Sequence, residues 1–296
     1  DDPAKSLELA ASWCRDIEKS AAKSNLHFSF GHRKTDKPKL TIGYVSADFC
    51  YHPVAQQTLS LFGLHNRNEF KVICYSTGID DQSYYRQKIA KDCDKFSDMR
   101  EKTSEEIARQ IYEDEVDILV DLMGHTKGAR LDIFALKPAP ISVEWLGFPG
   151  TSGASFIDYI ITDKTVSPPE HTRYFSEKLL YMPYSYMISD HHQPFSIKTW
   201  KRADFGLPDN AFIFSSYNKS YKIEPVMFDI WMKILREIPN SVLWLRWVSE
   251  LTEKNLKHEA EQRGVRGDRL IFSQKLPAKS DHLSRLMLAD LGLDTR

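Results

Sequence analysis

The sequence predicts an α/β fold made of two domains with parallel sheets. From residue 39 onward, apolar strand-like runs alternate with helical patterns, an order typical of parallel sheets flanked by helices. The run from Val116 to Leu122 is nearly all apolar, as expected for a strand covered on both faces. A second series of the same kind begins at Phe212, after a polar stretch. The length of 296 residues suits two domains of roughly 100–200 residues each.

The composition excludes several classes of protein. With 42% hydrophobic residues the chain can bury cores, so global disorder is not expected. A net charge of −1 provides no basic field for nucleic acid or an anionic membrane. The longest apolar runs, such as Val242 to Leu245, are too short to span a bilayer, and the acidic start Asp1-Asp2-Pro3 lacks a secretory leader. We therefore expect neither nucleic acid nor membrane among the partners.

The cysteines lie far apart and form no C-x-x-C pair. This spacing predicts neither a metal site nor a disulfide framework. Reduced thiols favour a cytosolic or nuclear compartment. The four residues are Cys14, Cys50, Cys74 and Cys93.

The first 37 residues differ from the rest of the chain. Apolar residues from Leu7 to Ile17 recur at helical spacing, which predicts a helix over 7–24 and then a polar linker over 25–38. The helix is compatible with the end of an upstream helical array, although no 34-residue repeat occurs within the chain. The predicted organisation is a helix and linker over 1–37, an α/β domain over 38–190, a linker over 191–206, and a second α/β domain over 207–296.

The first α/β domain is predicted to contain four strands. Thr103 and Glu106 form a capping box before a helix with an apolar face. Loops bearing glycine or histidine follow three of the strands, over 46–53, 123–128 and 147–153. Ligands of parallel sheets bind at the carboxyl ends of strands, so we expect these loops to line one crevice. The strands are predicted at Leu40–Val45, Phe70–Tyr75, Val116–Leu122 and Ile141–Trp145.

The second α/β domain is predicted to contain four strands and a helix that begins at Pro225. Proline in the first turn is a helix start signal. The chain stops directly after the last predicted strand, so we expect this sheet to be incomplete. The apolar face of the helix is predicted to hold Met227, Ile230, Trp231, Ile234 and Leu235. The strands are predicted at Phe212–Tyr217, Val242–Trp247, Leu270–Phe272 and Leu288–Leu293.

The segment 217–225 joins a strand to the N-terminus of that helix. Backbone N–H groups and the helix dipole favour a phosphate at such a place. Lys222 can add a full positive charge to the same anion. A departing nucleoside diphosphate needs this kind of charge stabilisation. The alternative interpretation is that Lys219 and Lys222 are solvated loop lysines.

His52 is the candidate for proton transfer. It follows the first strand, precedes Pro53, and has Asp48 four residues earlier in the same loop. A histidine can take a proton near neutral pH, and the aspartate can orient it or act as the base. The alternative is a loop histidine with a backbone hydrogen bond. The same alternative holds for His125, a weaker candidate in the loop 123–128.

Three further patterns are interpreted as structural. His191 and His192 are adjacent on an irregular segment and converge poorly on one ion, so we expect a solvated linker there. Asp92 and Asp94 follow a helical run, which indicates a helix end and not an Asp-x-Asp metal motif. The three glycines in 147–153 allow close approach of backbone to a sugar, or are ordinary turn residues.

Several motifs, in order along residues 38–296, resemble the catalytic core of the O-linked N-acetylglucosamine (O-GlcNAc) transferase family. Each motif alone is modest, but together they are highly specific. They are Ile42–Phe49 with His52-Pro53, Gly124–Arg130, Ala135–Pro140, Trp145–Gly153, Asp158–Asp163, Ser176–Leu179, Tyr181–Pro183, Tyr221–Ile223 and Pro239–Leu245.

The resemblance implies a glycosyltransferase B-type fold, with two Rossmann-like domains of which the second is incomplete here. It implies inverting, metal-independent transfer of N-acetylglucosamine from UDP-GlcNAc to Ser or Thr hydroxyls of proteins, without a cofactor. It also implies helical repeats upstream of residue 1. By position, Lys222 holds the diphosphate beside Tyr221, His282 and Arg285 contact the uridine near Lys279, Leu146, Gly147 and Pro149 border the sugar, and His52 and Asp48 lie at the reaction centre.

The chain departs from the family pattern in several places. Tyr51 and Val54 replace Asn and Thr around the His-Pro pair, and Lys219 replaces a nucleotide-contacting Gln. A His-Pro-His-His motif upstream is absent. The His-Thr-Thr segment expected after residue 295 is also absent, so we expect the chain alone to bind donor poorly. The alternatives are a Spindly-type protein O-fucosyltransferase using GDP-fucose and a non-catalytic scaffold that keeps the fold.

Overall fold

The computed structural model describes residues 2–33, 36–190 and 193–295. The chain divides into two compact units, Asp1–His192 and Gln193–Arg296. Each unit contains a sheet in which every described strand pair is parallel, so the predicted α/β class is confirmed.

The first unit contains a seven-stranded sheet. Its strands are β1 (Leu40–Ser46), β2 (Phe70–Ser76), β3 (Lys95–Asp98), β4 (Ile118–Asp121), β5 (Ile141–Glu144), β6 (Tyr159–Thr162) and β7 (Lys178–Tyr181). Its helices are α1 (Pro3–Ala21), α2 (Pro53–Gln57), α3 (Leu61–Leu64), α4 (Tyr84–Asp92), α5 (Ser104–Glu113) and α6 (Leu131–Ala135), with a 3₁₀ helix at Pro169–Tyr174. The spatial order of the strands is β3-β2-β1-β4-β5-β6-β7.

The four strands predicted for this unit are confirmed, although β4 is shorter than the predicted apolar run. Three strands were not predicted. β3 and β7 are four-residue edge strands with polar residues, which is how edge strands avoid unwanted pairing and why they carry little apolar signal. β6 lies inside the sheet but is only four residues long, too short for a clear alternation.

The central strand β1 is buried on both faces. Ile42 and Tyr44 pack into one core with Phe62, whereas Val45 packs into a second core with Ile73 on the opposite face. Side chains alternate between faces along a strand, so the two cores lie on opposite sides of one sheet. This arrangement agrees with the sheet covered on both faces that the apolar runs predict.

Helix α1 begins after Asp2, whose carboxylate accepts a hydrogen bond from the Ala4 N–H at 3.0 Å. It starts and ends earlier than the predicted 7–24. Cys14 of this helix is buried, and its thiol donates a hydrogen bond to the Ser152 carbonyl at 3.2 Å. Gly153 has φ of +67°, and a Cβ added there would lie 2.3 Å from the Ala11 nitrogen. The helix therefore packs directly on the loop after β5.

Part of the polar segment after α1 lies against α5. Arg33 donates to the carbonyls of Val116 and Tyr112 at 2.7 and 2.9 Å. Its guanidinium also lies 4.9 Å from the centre of the Tyr112 ring. These contacts attach residues before β1 to the first unit.

The second unit contains a four-stranded sheet. Its strands are β8 (Phe212–Ser216), β9 (Ser241–Arg246), β10 (Leu270–Ser273) and β11 (Leu291–Gly292). Its α-helices are α7 (Pro225–Glu237), α8 (Glu250–Gln262) and α9 (Lys279–Leu286), and its 3₁₀ helices are Arg202–Phe205, Ser220–Lys222 and Gly267–Arg269. The spatial order of the strands is β10-β9-β8-β11.

The start of α7 at Pro225 is confirmed, but its predicted face was partly wrong. Phe228 and Met232, which were not predicted, are buried beside Trp231 and Leu235. Ile230 is 46% exposed, because it lies on the opposite side of the helix from this stripe. The predicted strand Leu288–Leu293 was also too long, since α9 and its final turn extend into that run before β11 begins.

Replacing Gly153 by alanine is expected to destabilise the first unit by roughly 2–4 kcal/mol. The change combines a left-handed backbone angle with overlap against α1. Gly128→Ala is the matched control, since Gly128 also has positive φ but its added Cβ would make ordinary contact at 3.4 Å. Urea unfolding of both variants measures the difference, and equal losses would contradict the close packing of α1 on this loop.

Candidate functional site

The loops after β1, β4 and β5 meet at one edge of the first sheet, as predicted. A Cβ on Gly128 would lie 3.4 Å from the Ala47 Cβ, which brings the loops after β4 and β1 together. A Cβ on Gly147 would lie only 2.0 Å from the Leu122 carbonyl oxygen. The need for glycine at position 147 therefore follows from the protein's own backbone.

Asp48 and His52 form the ion-pair contact in the loop after β1. The distance from His52 Nδ1 to Asp48 Oδ2 is 3.1 Å. The Asp48 N–H donates to Ser46 Oγ at 2.9 Å, which fixes the start of the loop. Burial raises the pKa of the Asp48 carboxyl, and the nearby His52 charge opposes this rise.

His52 also caps α2, because Nδ1 lies 3.4 Å from the Val54 N–H. Nδ1 cannot donate to Asp48 and accept from Val54 at once. The shorter contact favours the tautomer in which Nδ1 carries the proton toward Asp48. In that tautomer Nε2 is a proton acceptor on a side chain that is 43% exposed. The pair is therefore arranged as an oriented base.

Leu146 occupies a tight turn after β5. Its φ is +74°, and the Gly147 N–H donates to the Trp145 carbonyl at 2.9 Å, which is the pattern of a classic γ-turn. Such a turn is strained for a residue with a side chain. The Leu146 side chain packs in the core and Pro149 is exposed. Leu146 is thus buried, whereas Pro149 is open to solvent.

His125 is a loop histidine with a backbone hydrogen-bond partner, which was the alternative interpretation. Its Nε2 lies 2.6 Å from the Ser152 carbonyl oxygen, and its ring packs edge-on against Phe148 at 5.5 Å. It joins the loops after β4 and β5. The interpretation of Asp92 and Asp94 as a helix end is confirmed, because α4 ends at Asp92 and Asp94 accepts from the Val72 N–H at 2.7 Å.

A cavity of about 760 Å³ lies between α1 and the loops after β4 and β5. Leu9 and Trp13 from α1 line it together with His125 and Phe148. The sequence did not predict this cavity, because it arises where α1 packs on loops more than a hundred residues away in the chain. The pair His191 and His192 lies outside the described residues.

In the second unit, the loop after β8 carries Lys219, Tyr221 and Lys222. All three are exposed, and Lys219 Nζ lies 5.8 Å from the centre of the Tyr221 ring. The 3₁₀ turn Ser220–Lys222 leads into α7. Asn218 donates to Asp294 at 2.8 Å. Hydrogen bonds from Thr295 and Asn218, with a smaller effect of the Lys222 charge, hold the pKa of Asp294 below its usual range.

Arg285 lies on α9 and is 1% exposed. Its guanidinium packs over the Tyr217 ring at 4.6 Å and donates to the Gln274 carbonyl at 2.8 Å. Its Nε–H donates to His282 Nδ1 at 3.1 Å. In this structure Arg285 therefore supports the side chains around it.

His282 is held neutral by its surroundings. Burial, and then the positive charge of Arg285, lowers its pKa to about 4. Because Nδ1 accepts from Arg285, the proton of the neutral ring is on Nε2. The ring lies 5.0 Å from that of Tyr217. Lys279, on the same helix α9, donates to Gln193 at 2.9 Å.

Trp244 and Ser273 complete this cluster and were not predicted. The Trp244 indole donates to Ser273 Oγ at 2.7 Å, and its ring packs edge-on against Tyr217 at 5.2 Å. Their position near the carboxyl ends of β9 and β10 was the available signal. Trp244 is fully buried, so it supports the Tyr217 ring from within the unit.

The described part of the chain has neither a metal-binding cluster nor a membrane-spanning helix. No group of three or more His, Cys, Asp or Glu side chains there is arranged to hold a metal ion. No helix within residues 2–33, 36–190 and 193–295 is long and apolar enough to cross a bilayer.

Comparison with known proteins identifies the family. The sequence model of glycosyl transferase family 41 matches residues 8–202 and 194–296. The chain belongs to glycosyl transferase family 41. This membership agrees with the predicted resemblance.

Two curated relatives illustrate the similarity. The chain is 39% identical to the probable UDP-N-acetylglucosamine--peptide N-acetylglucosaminyltransferase SEC of Arabidopsis thaliana, over 99% of the chain and 31% of that protein. It is 30% identical to the UDP-N-acetylglucosamine--peptide N-acetylglucosaminyltransferase of Caenorhabditis elegans, over 87% of the chain and 32% of that protein. The chain thus spans about a third of the length of these family 41 relatives.

Solved structures support the fold. The O-GlcNAc transferase mutant K341M of Thermobaculum terrenum matches 99% of the chain and 55% of its own, with a TM-score of 0.81 and 28% identity. This match confirms the predicted glycosyltransferase B-type fold class. A glycosyltransferase from Rickettsia africae matches 86% of the chain and 73% of its own, with a TM-score of 0.51 and 11% identity, and shows the fold alone.

Replacing His282 by glutamine is expected to weaken the acid sensitivity of the second unit. The folded state lowers the pKa of His282, so the unfolded state takes up its proton first as pH falls. The native chain therefore loses stability from about pH 6.5 down to about pH 4, and the variant loses less. His258→Gln on the exposed face of α8 is the control and should keep the native profile. Thermal unfolding between pH 4 and 7 measures this, and identical profiles for native chain and His282→Gln would contradict it.

Proposed function

We propose that the chain forms part of the catalytic region of a protein O-GlcNAc transferase, which moves N-acetylglucosamine from UDP-GlcNAc to Ser or Thr hydroxyls. The observation that carries the proposal is the 39% identity over 99% of the chain to a protein named for this reaction. The two clusters at the carboxyl ends of the strands are the groups that such a transfer requires.

The second unit supplies the donor site in this proposal. The diphosphate binds at Lys222 and the start of α7, where backbone N–H groups and a positive charge favour an anion. Lys219 adds a second charge in the same loop. The uracil ring lies against the Tyr217 and His282 rings, near Lys279. The positive charges of these lysines stabilise the charge of the departing UDP, so the proposed transfer proceeds without a metal.

The first unit supplies the base. The acceptor hydroxyl gives its proton to His52 Nε2 while its oxygen attacks the anomeric carbon of the sugar. The bond between that carbon and the phosphate oxygen breaks, and UDP leaves from the opposite face, which inverts the configuration. Asp48 orients the imidazole and stabilises the imidazolium that forms. Leu146, Gly147 and Pro149 border the sugar.

The alternative donor is GDP-fucose. Several plant proteins named SPINDLY are similar to the chain, including that of rice at 33% identity over 88% of the chain. Their printed names also describe UDP-N-acetylglucosamine--peptide transferases, and their identity to the chain is lower than that of SEC. We therefore favour UDP-GlcNAc. A scaffold without turnover is the remaining alternative, for which Tyr51 and Val54 are the supporting residues.

We place the protein in the cytoplasm or nucleus, with helical repeats preceding the catalytic region. The support for the compartment is that all four cysteines are free thiols. Fractionation of cells that express the intact protein tests the compartment, and recovery in the secretory pathway would exclude it.

Lys222→Ala is expected to lower kcat/KM for UDP-GlcNAc, with a loss of about 2–4 kcal/mol of transition-state stabilisation. The reason is that the substitution removes the positive charge that faces the leaving diphosphate. The assay measures transfer of labelled sugar to a Ser/Thr peptide by the intact protein, with UDP-GlcNAc and GDP-fucose in parallel. Lys233→Ala, an exposed lysine further along α7, is the matched control. Unchanged transfer by Lys222→Ala refutes the donor site. Transfer from GDP-fucose alone refutes UDP-GlcNAc as the donor. Transfer from neither sugar nucleotide supports the alternative of a scaffold without turnover.

His52→Ala is expected to reduce kcat by about 10²–10⁴-fold with little change in UDP-GlcNAc affinity, because it removes the base without touching the donor loop. His171→Ala, at an exposed position in the same unit, controls for loss of a histidine. Single-turnover transfer and UDP titration separate the two quantities. Full activity of His52→Ala would assign the base elsewhere.

A further inference from the structure

Three carboxyl groups are buried at the carboxyl ends of β4 and β5. They belong to Asp121, Glu144 and Glu177, and at most 3% of each residue is exposed. Burying one carboxylate is costly unless hydrogen bonds satisfy it, and burying three near one another adds repulsion. The contacts of each group therefore decide which of them carries a charge.

Asp121 and Glu177 each accept hydrogen bonds from neighbouring donors. Asp121 accepts from the N–H groups of Met123 and Gly124 at 3.0 and 2.8 Å. Glu177 accepts from the Ser152 N–H and the Thr151 hydroxyl, both at 2.7 Å. Asp121 thus anchors the loop after β4, and Glu177 anchors the far end of the loop after β5.

Glu144 lies between these two groups and differs from both. Within the described part of the chain, neither of its carboxyl oxygens has a partner in hydrogen-bonding geometry, although Ser152 and Glu177 stand beside it. It fills the space left by Gly124, where an added Cβ would lie 2.4 Å from Oε1. The Ser152 hydroxyl beside it is hydrogen-bonded to Glu177, so little stabilises a negative charge on Glu144.

The charges around Glu144 act in the same direction. Burial, followed by the neighbouring Glu177 and Asp121 carboxyls, raises the pKa of Glu144 well above its usual range. The Cys14 thiol of α1 faces the same cluster, and its pKa is raised to about 12 by burial and by Glu144. His125 belongs to the adjacent loop and is bound to the Ser152 carbonyl. Burial also raises the pKa of Asp121, to about 7, against its two amide bonds.

We propose that Glu144 is kept as the neutral acid, and that its neutrality keeps the loop from Trp145 to Gly153 in place. Ionisation would set a negative charge beside Glu177, which is the anchor of Ser152. Glu144 also directly precedes Trp145, whose indole donates to the Tyr186 carbonyl at 2.9 Å. Repulsion would therefore loosen the loop at both of its ends. Glu144 is a positioning residue and touches no substrate.

The consequence for catalysis rests on the proposed function, because Leu146, Gly147 and Pro149 lie on this loop. The proton on Glu144 does not depend on that function. Its test therefore uses the folding and the spectra of this chain without any sugar donor, so that the two proposals fail separately.

The test compares the native chain with Glu144→Gln, which has the shape of the neutral acid and cannot ionise. Unfolding releases the Glu144 proton at any pH between its unfolded value of 4.5 and its higher folded value. As pH rises through that window, the folding equilibrium constant of the native chain therefore falls about tenfold per pH unit relative to that of Glu144→Gln. Glu113→Gln, an exposed position at the end of α5, is the control and should follow the native chain. Parallel profiles for native chain and Glu144→Gln overturn the proposal.

Two spectroscopic measurements keep the proposal testable if the variant folds poorly. In the native chain, the ¹³C carboxyl resonance of Glu144 should stay at the neutral-acid position at pH 6, and an ionised signal there overturns the proposal. The indole N–H resonance of Trp145 should shift as pH rises in the native chain and stay fixed in Glu144→Gln. A purely structural Glu144 would leave that resonance independent of pH in both.

Discussion

The parallel pairing of β1 with β2 and β4 is the constraint on which the first unit depends. Leu40 pairs with Phe70 and Ile42 with Ile118, and this register sets where each strand ends. Because all seven strands run in one direction, the loops that follow them must emerge at one edge. The Asp48–His52 pair, the His125 loop and the Leu146 turn are neighbours for this reason. Their proximity does not require any direct attraction among them.

The same edge concentrates buried charge, and local donors satisfy most of it. Arg86 is 5% exposed and joins the loop after β1 to the ends of β2 and β3, by bonds to the Phe49 carbonyl, the Ser76 hydroxyl and the Asp98 carboxylate. Only the Arg86 side of this pair is buried, since the Asp98 side chain is 47% exposed, and losing the carboxylate would leave the buried charge uncompensated. The edge is therefore rigid because its polar groups are matched, and Glu144 stands out because its oxygens are not.

The sequence predicted what local patterns can encode. Apolar runs located β1, β2, β4 and β5, and the capping box located α5, since both signals lie within a few residues. It did not predict β3 and β7, because each is an edge strand of four residues, too short for a clear pattern. The same limit applies to the sites. His52 and Lys222 follow strands in the sequence and were found that way. The packing of Arg285 on Tyr217 and the neutral state of Glu144 depend on residues that are distant in the chain. No spacing pattern in the sequence could therefore predict them.

Three histidines, two in loops after strands and one on α9, differ in what their surroundings let them do. His125 is bound to a backbone carbonyl and packed on Phe148, so its ring is committed to joining two loops. His282 accepts from Arg285 and is neutral at physiological pH, which leaves it as a flat surface beside Tyr217. His52 has a carboxylate at Nδ1, and its side chain is 43% exposed. A base must be both oriented and accessible. Of these three rings, His52 meets both conditions, which is why the proposed function assigns the proton transfer to it.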